Sequence, residues 1–471
     1  MIAVLVALHI VAVAGLALYG LLGFVTLGLF LRYRHAGQRP LVTPDEWPIV
    51  TVQLPVFNER GVVTRLLDAT AALDYPRDRL QIQILDDSTD DTTALAAAWA
   101  TARRAEGYNV VLLHRAARQG YKAGALAAGL ATARGEFIAI FDADFVPQPS
   151  FLRQTLPYLL ADPEVGAVQA RWGHLNAAAS SLTGAQAIAL DKHFAVEQLV
   201  RHRAGCFPKF NGSAGVWRRA CIEDAGGWSD ATLCEDLCLS TRAVLAGWRF
   251  HFAEDVVAPA ELPATMRAYK SQQARWATGA SQCLTRYAAP IWRASGYSLL
   301  ARGYALLSMA AYSTHLLVLL LVLVQLPLIL SGFRFPAGMV VFSALGLGQP
   351  ILFILAQQAL YPDWRRRLRH LPALLLLAIG TAPSNAWAVL RGLSGRRFAF
   401  VRTPKGAQPG YRLKAGGVVW AEAGLAAYSA AVLVLAAWTG NTGAVSLPLL
   451  ALLGFGYVAW LTGRESYPAT S

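Results

Sequence analysis

Apolar and polar positions divide the chain into three stretches. Residues 3–30 are almost wholly apolar. At about 1.5 Å per residue this run exceeds the roughly 30 Å of bilayer hydrocarbon, which predicts one tilted membrane span. A cleaved leader is the competing expectation. Against it, no basic residue precedes the run, the run is too long, and no small-x-small site follows. From about 48 to 290, short β-branched or aromatic runs alternate with helical periodicity. Strands are predicted at 49–54, 80–85, 110–113 and 137–141. Helices are predicted up to Leu73, over 92–105 and over 122–133. Such alternation implies an α/β domain with a mostly parallel sheet and helices on both faces. Beyond 310, apolar runs at 311–332, 337–360, 418–438 and 445–463 are each long enough to span.

Charge changes the picture of one further run. Leu371 to Leu390 is uncharged and about 20 residues long, which by hydropathy alone is a span. The segment after it holds Arg391, Arg396, Arg397, Arg402, Lys405, Arg412 and Lys414, and the one before holds Arg365, Arg366, Arg367 and Arg369. Bases gather on the cytosolic side of membranes, so both flanks are expected there. Pro383-Ser384-Asn385 also interrupts the run. It is therefore read as an interfacial helix, 371–392, and the spans total five. The expected organisation is a membrane helix (1–31), a linker (32–47), a cytosolic α/β domain (48–290) and an interfacial segment (291–310). Two spans (311–360), a basic cytosolic region (361–417) and two spans with a tail (418–471) follow. Arg32, Arg34 and His35 after the first span place its N-terminus outside.

Composition agrees with a membrane protein: 55% of residues are hydrophobic, 15% are charged, and the mean hydropathy is +0.39. The net charge of +13 could suit nucleic acid. Much of it lies beside apolar runs instead, so no nucleic-acid partner is expected. The five cysteines, odd in number and without Cys-x-x-Cys spacing, read as free thiols in a reducing compartment.

The candidate chemistry sits at strand ends. Asp142 and Asp144 follow the run Phe137 to Phe141, and residues two apart in a strand share a side. Open α/β sheets bind ligands beyond the carboxyl ends of their strands. Two carboxylates there suit Mg²⁺ or Mn²⁺ bridging nucleotide phosphates; a solvated acidic turn has the same local pattern. Asp86 and Asp87 end another strand, which favours the cleft. Glu235 and Asp236 begin a helical run, where acids also merely complement a helix dipole. Gln272, Arg275 and Trp276 share one helical face. That face offers an amide, a phosphate-pairing guanidinium and a ring for stacking on a sugar. It also suits an amphipathic helix at a membrane surface.

Taken in order, Gln53-Leu54-Pro55-Val56-Phe57-Asn58-Glu59, Leu85-Asp86-Asp87-Ser88-Thr89-Asp90, Gly120-Tyr121-Lys122-Ala123-Gly124-Ala125, Phe141-Asp142-Ala143-Asp144-Phe145, Glu235-Asp236 and Gln-x-x-Arg-Trp resemble membrane-bound family-2 glycosyltransferases of GT-A fold. Val168-Gln169-Ala170-Arg171-Trp172 and Phe210-Asn211-Gly212-Ser213-Ala214-Gly215-Val216-Trp217 are most like the cellulose-synthase-like A group, the mannan and glucomannan synthases, and its bacterial relatives. The resemblance covers roughly 50–290 and implies roles by position. Phe57 and Asn58 would line the base pocket with Glu59 nearby, and Asp87, backed by Asp86, would hold the nucleoside. Lys122, Gln272 and Arg275 would face the donor. Asp142 and Asp144 would hold Mg²⁺ or Mn²⁺ with the diphosphate. Asp236 would be the general base of an inverting transfer, although Cys234 stands where that motif usually has Thr. Trp276 would stack on the acceptor sugar, with Asn211, Gly212 and Glu235 beside it. Phe400-Val401-Arg402-Thr403-Pro404-Lys405 resembles a gating loop (398–410), in which Thr403 and Lys405 would close over the donor; a basic juxtamembrane linker is the plainer alternative.

The activity so implied is hexosyl transfer from GDP-mannose, GDP-glucose or UDP-glucose onto a growing β-linked polysaccharide, with passage of the polymer across the cell (plasma) inner membrane. Transfer of one sugar to a membrane lipid such as ceramide or diacylglycerol uses the same cytosolic motifs. A transporter or scaffold with a degenerate nucleotide domain is the third class, against which stand the intact motifs and the lack of a charge at mid-span.

Overall fold

The structure, a computed structural model, describes residues 2–35, 43–336, 344–396, 403 and 418–465. Helix α1 (Ile2–Tyr33) leads into a domain built from β1 (Val50–Val56), α2 (Val63–Ala71), β2 (Leu80–Asp86), α3 (Thr92–Ala105), β3 (Asn109–His114), α4 (Tyr121–Thr132) and β4 (Phe137–Ile140). It continues through α5 (Phe151–Leu160), β5 (Val165–His174), α6 (Ser181–Lys192), a π-helical turn (His193–Gln198), α7 (Leu199–Arg203), β6 (Gly215–Arg218), α8 (Arg219–Asp224), α9 (Glu235–Leu245) and β7 (Arg249–Ala260). The long α10 (Met266–Arg293), α11 (Leu299–Met309) and α12 (Thr314–Leu330) follow.

Seven strands form one sheet in the order β3-β2-β1-β4-β6-β5-β7. β6 runs antiparallel to both neighbours, and the other pairs are parallel. β2 and β4 are buried along their whole length, and β1 at all positions but one. This explains why they read as near-continuous apolar runs. The polar residues within them are paired across the sheet. Thr51 Oγ1 donates to Gln81 Oε1 at 2.8 Å, and Gln53 Nε2 to Gln83 Oε1 at 3.0 Å. Thr51 and Gln53 lie directly opposite those glutamines in the parallel register, so each amide finds a partner that water cannot supply. β1 and β2 end level, with Val56 opposite Asp86, while β4 ends earlier, with Ile140 opposite Gln53, and the carboxyl ends of all three open onto the site.

Four helices are long and apolar enough to cross a membrane: Ile2–Tyr33, Ala311–Leu330, Trp420–Trp438 and Thr442–Arg464. Of the expected 337–360 span, the described helix is Gly348–Leu360, and 337–343 lie outside the described residues. The run after the arginine cluster is a broken pair. Trp364–Gly380 and Ala382–Leu393 meet at Thr381 with a bend of 50°. Both ends of this pair touch the α/β domain or its last helix. A Cβ on Gly184 of α6 would lie 2.5 Å from the His370 ring, and one on Gly392 would lie 2.6 Å from Thr278 O of α10.

One charge near a span end departs from the purely apolar expectation. Glu422, in the helix Val418–Trp438, is fully buried, and both its carboxylate oxygens lie 3.0 Å from Lys270 Nζ of α10. At the other end of the chain, Glu465 accepts the Met266 and Arg267 amides, the first two N–H groups of α10. The last two membrane helices thus grip the start of α10. All five cysteines are free.

Candidate functional site

The loops after β1 and β2 are tied into one rim. Asn58 N donates to Ser88 Oγ at 2.8 Å, and Asn58 Oδ1 accepts Thr89 N at 2.8 Å. The backbone of Asn58 is left-handed (φ 54°), a conformation Asn adopts more readily than most residues. Asp86 is fully buried and braces this rim. It accepts Ser88 N at 2.9 Å and Thr93 Oγ1 at 2.6 Å, and His114 Nδ1 lies 2.8 Å away. Burial alone would raise its pKa, but these partners outweigh burial and hold the carboxyl below its usual range. Asp87 faces the cleft and is gripped in bidentate fashion by Arg115, Nε to Oδ1 at 2.7 Å and Nη2 to Oδ2 at 2.6 Å. The Arg118 guanidinium lies 3.5 Å over the Phe57 ring. Neither arginine was singled out by the sequence reading, although Arg115 directly follows a strand that ends beside an acidic pair.

Phe57, Glu59, Asp87, Arg118, Lys122, Asp142, Arg275 and Thr403 line a first small cavity of about 80 Å³. The Thr403 hydroxyl is buried there, with no hydrogen-bond partner among the described residues. Lys405 lies outside the described residues, as does the remainder of 398–410.

A second cavity adjoins the first and shares Lys122, Asp142 and Arg275 with it. Lys122 sits 2.6 Å from Asp142 Oδ1 and 3.5 Å from Glu235 Oε1, and donates to Gly212 O at 2.8 Å. Burial works against its charge, but Asp142, Glu235 and Asp236 outweigh burial and raise the ammonium pKa. Asp144, Asp236, Asn211, Gln272 and Trp276 line the same cavity. Gly212 (φ 80°) is required by this closeness: a Cβ there would lie 3.0 Å from Asp236 Oδ2. Glu235 and Asp236 begin α9, and α10 presses on the residue before them, since a Cβ on Gly279 would meet Cys234 Sγ at 2.3 Å. Cys234 keeps its proton, because burial and then Asp236 push its thiol well up. Asp236 is raised to about 7, by burial first and by Glu235 second, against Lys122 and Arg275. That value suits a group that takes a proton near neutrality.

The acids outnumber the bases here: Asp142, Asp144, Glu235 and Asp236 face Lys122 and Arg275. A divalent cation fits that imbalance. Among the described residues no three His, Cys, Asp or Glu side chains could hold a metal by themselves. The protein would therefore supply one or two carboxylates from Asp142 and Asp144, with phosphate and water completing the shell, which is the habit of Mg²⁺-like ions.

A third, larger cavity of about 340 Å³ continues from Asp236, Asn211, Gln272 and Trp276 toward the apolar helices, reaching Met309 and Tyr312. Its walls include His193, Glu197 and Lys209, which sequence reasoning also missed. Glu197 pairs with Lys192 at 2.6 Å and His193 at 3.0 Å, and His193 Nε2 lies 2.9 Å from Asn211 Nδ2. His193 and Glu197 lie on the π-helical turn, a distortion frequent at functional sites. Asp236 thus stands where a small polar cleft meets a roomier cavity.

Residues 48–279 match the family described as "Glycosyltransferase like family 2". Over 239 residues the chain is 46% identical to glucomannan 4-beta-mannosyltransferase 2 of Arabidopsis thaliana, covering 50% of this chain and 45% of that protein. It is 42% identical over 271 residues to probable glucomannan 4-beta-mannosyltransferase 7 of Oryza sativa subsp. japonica, covering 56% and 46%. The matched part thus spans about half the length of these relatives. In three dimensions the chain resembles a mannosyltransferase from Pyrobaculum calidifontis in complex with GDP-Man and Mn²⁺. The TM-score is 0.58 at 22% identity, over 83% of this chain and 100% of that one. This likeness concerns the fold, which is of GT-A type.

Proposed function

We propose that the family-2 glycosyltransferase domain carried by this chain at residues 48–279 moves a mannosyl unit from GDP-mannose to a β-linked glycan of mannan or glucomannan type. The observation that carries the reading is the position of Asp236, shared by the polar cleft and the larger cavity. Donor phosphates would lie by Asp142, Asp144, Lys122 and Arg275, and the acceptor sugar on Trp276. Asp236 takes the proton of the acceptor hydroxyl as its oxygen attacks the anomeric carbon. The bond to the diphosphate breaks on the opposite side, so the configuration inverts. Lys122 and Arg275 hold the leaving charge, and a divalent ion on Asp142 and Asp144 would supply further neutralisation. Relatives named glucomannan mannosyltransferases and a fold neighbour in complex with GDP-Man and Mn²⁺ support this choice of donor and metal. The test is purified protein with Mg²⁺ or Mn²⁺ and GDP-mannose, GDP-glucose or UDP-glucose, the products sized and linkage-analysed. A long β-linked mannan is expected. A single sugar on lipid would replace this reading.

Arg118 over Phe57 fits a role in gripping the nucleoside end. A cation–π contact is worth about 1 kcal/mol at an exposed site and about 2 kcal/mol when desolvated. Arg118→Ala is accordingly expected to raise the donor KM roughly 5–30-fold with little change in kcat. An unchanged KM would remove Arg118 from the donor site.

We further infer that the broken pair 364–393 lies on the cytosolic face of the plasma membrane, on the same side as the catalytic domain. Its basic flanks and its contacts to α6 and α10 at both ends support this. The exposed Ser394, replaced by Cys, is expected to react with an impermeant maleimide only in inside-out vesicles. Labelling in right-side-out cells would mean that the pair crosses.

A further inference from the structure

A cavity of about 530 Å³ lies away from the cleft, where α1 and the helix Gly348–Leu360 reach the α/β domain. That volume is within the range of small-ligand sites. One wall is apolar: Phe30, Leu199, Leu355 and Leu360. Phe30 is 3% exposed and belongs to the core shared with Leu199 and Leu352, so this wall is fixed. The other wall is charged. Arg34, Arg171 and Asp255 line it. Glu254 also lines it but is paired with Arg203, and Arg203 Nη1 donates to Tyr33 O at 3.0 Å and Arg34 O at 2.9 Å. Arg203 thereby fastens the end of α1 to the domain. Arg171 donates Nε–H to Glu254 O at 3.1 Å. Among the described residues, its terminal nitrogens and the Arg34 guanidinium make no hydrogen bond or ion pair.

We propose that this cavity binds the headgroup of a membrane phospholipid that carries an amine beside its phosphate. The place is right for a lipid, because α1 emerges from its apolar run at this level. The chemistry is right for that headgroup. Two guanidinium groups offer a phosphodiester charge-assisted hydrogen bonds. The exposed Asp255 carboxylate on the rim suits an ammonium and repels a second anion. The apolar wall receives the glycerol and first methylenes. Ala195 lines the cavity from the π-helical turn whose His193 and Glu197 line the larger cavity of the cleft. One turn of helix therefore separates lipid from glycan.

The test is native mass spectrometry of the full chain in detergent, titrated with phosphatidylethanolamine, phosphatidylglycerol or water-soluble phosphoethanolamine. This readout does not depend on turnover, so it stands or falls apart from the proposed transferase activity. One phosphatidylethanolamine per chain is expected, weakened at least tenfold in the Arg34→Ala/Arg171→Ala double variant. Ala359→Trp, which fills the cavity from an exposed position, is expected to weaken binding as much with both arginines in place. Arg32→Ala, an exposed base absent from the cavity lining, is the control and is expected to leave binding unchanged. Equal loss in Arg32→Ala, full binding in both cavity variants, or tighter binding of phosphatidylglycerol would overturn the proposal. Binding of phosphoethanolamine as tight as that of the lipid would overturn it in favour of a free-phosphate site.

Discussion

Asp236→Asn is expected to lower transfer by at least ~10²-fold while leaving donor affinity within a few-fold, since a positioned base contributes that much or more. The side chain keeps its shape and loses only the ability to take a proton. Its neighbours make the pH dependence informative. With the pKa raised to about 7, the carboxyl is largely protonated, and idle as a base, below neutrality. It becomes active as pH rises. The wild-type rate should climb with pH through about 7 and then level, and the residual rate of Asp236→Asn should lack that limb. Glu235→Gln removes the neighbouring carboxylate that, with burial, raises this pKa, and should move the limb to lower pH. A variant that binds donor poorly yet turns over well would make Asp236 a binding residue instead.

The second large effect is expected at Asp144, which is 5% exposed. Asp144→Asn should abolish the Mn²⁺- or Mg²⁺-dependent part of GDP-mannose binding and lower turnover on the order of 10²-fold, the scale seen when a charge-stabilising group is lost. The fold should survive, because Asn is isosteric and Asp144 lies at the cleft rather than within a strand. Calorimetry with and without metal checks this directly. Identical donor affinity in EDTA and in Mn²⁺, in the wild-type protein, would end the metal reading of Asp142 and Asp144.

How much of this was legible depends on where each signal lies. β1, β2 and β4 are buried on both faces, so their apolar runs announce them, and the acids at their ends follow from the pattern alone. β5 and β7 are different. They pair over ten and twelve residues with register shifts after Val165 and after Ala170, and they carry Gln169, Arg171, His174, Glu254 and Asp255. Irregular pairing between segments some eighty residues apart leaves no local periodicity to read. Arg115 and Arg118 escaped for another reason: a lone arginine in a loop has no pattern until the partner carboxylate or ring is in place. The 371–390 run has the composition of a span, and what hydropathy does not carry is its 50° break at Thr381 and the contacts of His370 and Gly392, which are tertiary facts.

The grip of the last two membrane helices on α10 bears on how the enzyme can be dissected. An excised soluble domain ending near residue 290 would retain Lys270 but lose Glu422, and retain the α10 amides but lose Glu465. Removing one partner of a buried ion pair costs about 3–5 kcal/mol, a large share of a typical domain's 5–15 kcal/mol. The helix that carries Gln272, Arg275 and Trp276 would then start frayed. Water-soluble fragments are therefore poor surrogates for this catalyst, and a drug screen run on one would sample a cleft whose α10 wall has lost its anchor.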